Sequence, residues 1–93
     1  MSASIRYRLR GSRISSLEEA YQEMAREMTF PPHFGHNLDA LWDVLTMEVT
    51  GPFEIIWEDA KRSKTKMGKD YRRLLKLLKD LERTREDFRL KLR

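Results

Sequence analysis

Three short stretches of this chain alternate apolar and polar side chains with a period of two, and long segments separate them. In Ser4–Arg10, Ile5, Tyr7 and Leu9 alternate with Arg6, Arg8 and Arg10. Phe53, Ile55 and Trp57 alternate with Glu54, Ile56 and Glu58, and Phe88, Leu90 and Leu92 with Arg89, Lys91 and Arg93. A period of two marks a half-buried strand with one face toward a core. The segments between carry apolar residues at helical spacing, so no hairpin joins any two strands. Helical crossovers between strands favour a parallel sheet. The fold class follows as α/β: a three-stranded parallel sheet with helices packed on one face and solvent on the other. That is a two-layer sandwich.

The helical segments carry their own signals. Gly11-Ser12 breaks the first strand. Ser15 and Ser16 each precede a glutamate by three residues (Glu18, Glu19), two overlapping capping-box signatures. Leu17, Ala20, Tyr21, Met24 and Met28 then form an apolar stripe, ended by Phe30-Pro31-Pro32 because a residue before proline leaves the helical region. His33 to Asn37 reads as a loop, with Asn37 placed to cap a second helix carrying Leu38, Leu41, Trp42 and Leu45. That helix dissolves near Thr50-Gly51-Pro52. Lys61–Lys69 reads as a basic loop or short helix. Tyr71, Leu74, Leu75, Leu78 and Leu81 mark a last, long helix.

At 93 residues, of which 40% are apolar, the chain suffices for one domain, residues 1–93, with a small core. No apolar run approaches the ~20 residues of a membrane span, and the first ten residues lack a signal-peptide apolar region. With no cysteine there is no disulfide framework, thiol nucleophile or thiolate metal site. These features fit a cytoplasmic protein. The net charge of +4 conceals a segregation. Between Arg26 and Lys61 there is no Lys or Arg, but seven acids: Glu27, Asp39, Asp43, Glu48, Glu54, Glu58 and Asp59. Residues 61–93 carry 14 basic and 5 acidic side chains. Such a chain can present two faces of opposite sign.

Asp39 and Asp43 lie one turn apart on the second helix, a spacing at which like charges repel. The first turn welcomes Asp39 through the helix dipole, whereas Asp43 has no basic residue at i±3 or i±4. The pair fits a solvated helix face or an acidic surface held for a cationic partner. Trp42 fits either the core or a partly exposed contact, because Leu38, Leu41 and Leu45 complete the stripe without it. His33 and His36, with no third histidine, are a weak metal signal and read as solvated loop residues. The basic residues of the outer strands would share the open sheet face and could track a phosphate backbone. Glu54 and Glu58 have the same parity and can pair with them across the sheet, which disfavours nucleic acid there. No phosphate-binding loop, dinucleotide turn or nucleophile elbow occurs, so no enzyme is read here.

The run Phe30-Pro31-Pro32-His33-Phe34-Gly35-His36-Asn37-Leu38-Asp39-Ala40-Leu41-Trp42-Asp43-Val44-Leu45-Thr46 resembles the signature of the barstar family, intracellular inhibitors of small secreted ribonucleases. A proline-led second strand ending in Trp57, a long last helix and a final strand agree with it. The resemblance implies a ribonuclease, secreted or a toxin domain, as partner, and inhibition by plugging its active site. It implies a protein that is monomeric when free, needs no cofactor or metal and protects the producing cell. In the family's pattern Asp43 meets the catalytic basic residues at the phosphate site and Asp39 makes flanking contacts. His33 packs over the catalytic histidine, Trp42 adds contact area, and Gly35, Asn37 and Thr46 belong to the binding segment. Asp80 falls where the family has a glutamate that contacts the nuclease. A cis Gly51–Pro52 bond is also implied. Departures are His33 for the usual Tyr, His36 at a commonly acidic position, Glu48 where an aromatic can stand, and a basic net charge.

Overall fold

In the computed structural model, which describes residues 4–93, the three alternating segments become β1 (Ile5–Arg10), β2 (Phe53–Glu58) and β3 (Phe88–Leu92). They form one open sheet in the order β1-β2-β3 with both pairings parallel. Leu9 stands opposite Trp57, and Phe53 opposite both Ile5 and Phe88. Four helices make the crossovers: α1 (Leu17–Met28), α2 (Leu38–Met47), α3 (Ala60–Met67) and α4 (Lys69–Thr84). The basic segment after β2 is therefore a helix and not a loop.

One parity of the sheet joins the core. Leu9, Phe53, Ile55, Trp57 and Phe88 are buried with Ala20, Tyr21 and Met24 of α1, Leu41 and Leu45 of α2, and Leu74, Leu78 and Leu81 of α4. The other parity is charged and open, with one exception. Ile56 is buried at 2% exposure although it lies on the outer face, where the register sets it between Arg8 and Lys91. Long basic side chains shield apolar surface with their methylene stems while the charged heads stay in water. Along the same face Arg8 donates to Glu58 at 2.8 Å, and Lys91 and Arg6 approach Glu54 at 3.4 and 4.0 Å. The sheet's outer charges thus largely pair with one another.

Local sequence explains where the elements begin and stop. Ser16 caps α1 through its side chain, accepting from the Glu19 N–H, while Glu19 in turn accepts from the Ser15 N–H at 2.8 Å. Thr29 closes α1 in the left-handed region (φ 53°) just before Phe30-Pro31. The Gly51–Pro52 peptide is cis, as the family resemblance implies. A Cβ at position 51 would collide with the Asp87 carboxylate, so that side chain would have to shift to admit one. Gly11 is confined more strictly, because a Cβ there would run into the Glu58 and Asp59 backbone carbonyls.

Candidate functional site

The loop before α2 is held by aromatic packing. Phe34 is buried, with its ring 5.0 Å from Phe30, 6.1 Å from Tyr21 and 5.3 Å from His36. Burial pushes the Tyr21 hydroxyl above its ordinary value, with the nearby Arg73 charge opposing. His36 is tied to Glu18 of α1 through Nδ1, so it is a tether between loop and helix and not a free solvated histidine. His33 differs: it is exposed, and among the described residues it has no hydrogen-bond or ion-pair partner.

Asn37 caps α2 as its position predicts, its Oδ1 accepting the Ala40 N–H at 2.8 Å. Gly35 packs close against it: an added Cβ would stand 3.3 Å from the Asn37 amide nitrogen and 3.5 Å from the Ala40 methyl. Leu41, Val44 and Leu45 anchor the inner face of α2. The outer face therefore presents Asp39 and Asp43, both exposed, followed at the same spacing by Met47 at 79% exposure. Neither carboxylate makes an ion pair or hydrogen bond among the described residues. Trp42 is half-buried, packed on the core and open on one side, so it serves both readings of its position. Thr46 spends its hydroxyl hydrogen on the Trp42 carbonyl at 2.8 Å.

Two hollows flank this acidic stripe. On the loop side, about 200 Å³ is lined by His33, Phe34, Gly35, Asp43, Val44 and Glu48, among others. On the other side, a groove of about 300 Å³ between α2 and α4 is lined by Asp39, Trp42, Asp80, Arg73, Lys76 and two leucines. The structure thus brings His33, Gly35 and Asp43 around one hollow and Asp39, Trp42 and Asp80 around the other, with Asn37 at the helix start between them. Asp80 differs from the α2 aspartates in already having cations, Lys76 at 3.0 Å and Arg83 at 3.3 Å. Met47, Arg73 and Lys76 border the stripe without having been singled out from sequence, and Glu48, named there only as an acid and a departure from the family pattern, borders it too. Spacing alone would have found Met47, four residues beyond Asp43. Glu48 carried a clue too, as a carboxylate at the end of a helix, where the dipole disfavours it.

The stripe's far end is fixed from outside the helix. Arg85 donates to the Leu45 and Val49 carbonyls at 2.8 Å each, grips Asp87 through two bonds of 2.9 and 2.8 Å, and lies over the Phe53 ring. It supplies the cation that α2 lacks in its last turn. The hydrogen bond from Arg85 holds the Asp87 carboxyl below its ordinary value. Capped by Asn37 at one end and Arg85 at the other, α2 presents its carboxylates from a rigid mount. No set of three or more His, Cys, Asp or Glu side chains gathers into a metal-binding group among the described residues. No described helix is long and apolar enough to cross a membrane.

Comparison with known proteins gives the same placement. Residues 6–93 match the family described as "Barstar (barnase inhibitor)". The chain is also 27% identical over 81 residues to a Bacillus subtilis (strain 168) protein named "Putative ribonuclease inhibitor YrdF", a match spanning 86% of this chain and 89% of that one. With the parallel sheet, the capped acidic helix and a family match over nearly the whole sequence, this chain belongs to the barstar family.

Proposed function

We propose that this protein inhibits a small ribonuclease, secreted or a toxin domain, by inserting α2 and the loop before it into the substrate groove. One observation carries the reading. In a chain with 19 basic residues, Asp39 and Asp43 remain exposed and form no ion pair among the described residues, on a helix that has no basic residue of its own. An active site that binds RNA presents cations to phosphates, and a carboxylate row on a rigid helix complements them. Asp43 takes the phosphate position, Asp39 flanks it, and His33 and Trp42 supply planar contact surface on either side. Gly35 allows close approach of the loop, Asn37 and Thr46 offer polar contacts at its two ends, and Asp80 lies at the margin. The 93 residues act as one domain, a monomer in the cytoplasm that protects the cell producing the nuclease; no catalytic step of its own is involved.

The test is copurification from cells of the source organism, with the captured partner identified by mass spectrometry and its RNA cleavage titrated against the purified inhibitor. A ribonuclease silenced at a one-to-one ratio is the expected result. A partner without nuclease activity would overturn the proposal.

A further inference from the structure

A strongly basic surface lies on α4, touching the acidic site only where Lys76 lines the groove beside Asp39. Residues 61–83 hold ten basic side chains and three acidic ones. Five of the ten, Lys69, Arg72, Lys76, Lys79 and Arg83, recur at alternating spacings of three and four, so they form one line along the whole helix. All five are exposed, and the line runs opposite the buried Tyr71, Leu74, Leu78 and Leu81. At 1.5 Å per residue it is about 21 Å long. A shallow trough lined by Arg72, Leu75, Lys76, Lys79, Asp80 and Arg83 follows it.

An ordinary solvated helix face mixes charges so that carboxylates and ammonium groups alternate at i, i+4. Here a single acid, Asp80, serves both Lys76 and Arg83. Lys69, Arg72 and Lys79 have no carboxylate within ion-pair distance among the described residues. Lys69 also stands at the first position of α4, the end of a helix where a cation is disfavoured. A line of like charges at adjacent turns opposes the fold that carries it, so a polyanion is its natural complement.

We infer that the α4 line is a second binding surface, for the phosphate backbone of a nucleic-acid duplex. A protein partner is the poorer fit. Tight protein interfaces centre on desolvated aromatic or aliphatic anchors, and the exposed large apolar residues among those described, Ile5, Met47 and Leu92, all lie elsewhere. A lipid surface is also disfavoured, since the apolar side of α4 is occupied by the core and cannot insert. The same lack of exposed aromatics argues against base stacking on single strands. A duplex presents phosphates on a rigid line and asks only for regularly placed cations. The surface meets the acidic site only at Lys76 and Asp80, which also line the groove beside Asp39. Its other cations, Lys69, Arg72, Lys79 and Arg83, do not line that groove, and the inference does not depend on the inhibitor reading.

Fluorescence anisotropy with a labelled RNA duplex of about 20 base pairs, in about 50 mM salt, tests the inference. Wild-type protein should bind, with log K falling against log salt at a slope of about −4.5 for five contacts at about 0.9 each. Replacing Lys69, Arg72 and Lys79 together by Gln should weaken binding at least tenfold and make the slope shallower by about 3. These side chains make no bonds within the described protein, so the fold should survive, and circular dichroism verifies it. The three single Gln variants should each give an intermediate loss. A matching triple on the sheet face, Arg6→Gln with Arg8→Gln and Arg89→Gln, should bind as wild type does. Absence of wild-type binding would overturn the inference. So would equal losses in the two triples, tighter binding to the single strand, or retention on anionic vesicles without retention of the duplex.

Discussion

Ser63 is fully buried, and its hydroxyl explains why a polar residue occupies that place. It accepts the Trp57 indole N–H at 3.1 Å and donates to the Gly11 carbonyl at 3.0 Å. Ser63→Ala leaves a buried donor and a buried acceptor without partners, a loss of about 1–3 kcal/mol expected in urea denaturation. Asp87 makes a prediction in pH. Its carboxyl is held below the ordinary 3.8, first by the hydrogen bond from Arg85. The stability it contributes is complete above that unfolded value and is lost as pH falls through the lower folded one. Asp87→Asn should therefore flatten the acid limb of the stability curve below about pH 4. An acid limb identical to wild type would show that the pair contributes nothing. Ser63 was hidden from sequence reading because the Gly11 carbonyl it serves lies far along the chain. The Asn37 cap was legible because its partner is three residues away. His36 is exposed as expected, but its tie to Glu18 was not legible, since nothing local announces that partner.

Among the elements, β1 to β3, α1, α2 and α4 were legible from period alone, and α3 was not. Its buried side is Ala60, Ser63 and Met67, a stripe at helical spacing whose middle member is polar, so the apolar period vanishes. The sheet's edges show a second device invisible to periodicity. Glu23 of α1 accepts the Arg10 N–H at the β1 edge, and Glu82 of α4 accepts the Leu90 N–H at the β3 edge. Open edges invite pairing with other chains, and each of these carboxylates occupies a donor that would serve it. The mounting of α2 gives the element-scale prediction. Arg85→Ala removes charge-assisted bonds to two carbonyls and to Asp87, so the protein should lose about 2–3 kcal/mol. Inhibition should weaken in parallel, because the helix end frays while the aspartates remain. Unchanged inhibition by this variant would show that the far end of α2 does not need to be held.

At the scale of the whole molecule, charge is sorted: an acidic helix face on one side and a basic α4 on another. The sorting was readable from the gap in basic residues between Arg26 and Lys61. The pairing of the sheet's own charges was readable from parity. What sequence could not show is that Arg73 and Lys76 border the groove beside Asp39. Association with a nuclease should slow as salt rises, since screening sets in over about 10 Å at 0.1 M. The basic remainder should make that dependence shallower than for an inhibitor acidic throughout, which stopped-flow rates across a salt series would show. The acidic face itself is where binding opposes stability. Asp43 repels Asp39 and has no compensating cation, and alanine is the better helix former. The decisive comparison is Asp43→Ala against wild type, with inhibition of the captured ribonuclease and the urea midpoint measured on the same preparations. Inhibition should weaken by the equivalent of about 2–5 kcal/mol, as when one partner of a buried charge pair is removed. The midpoint should rise by up to about 1 kcal/mol, with the slope unchanged. Inhibition equal to wild type, or a midpoint lower by about 1 kcal/mol or more, would contradict the assignment of Asp43 as the exposed phosphate mimic.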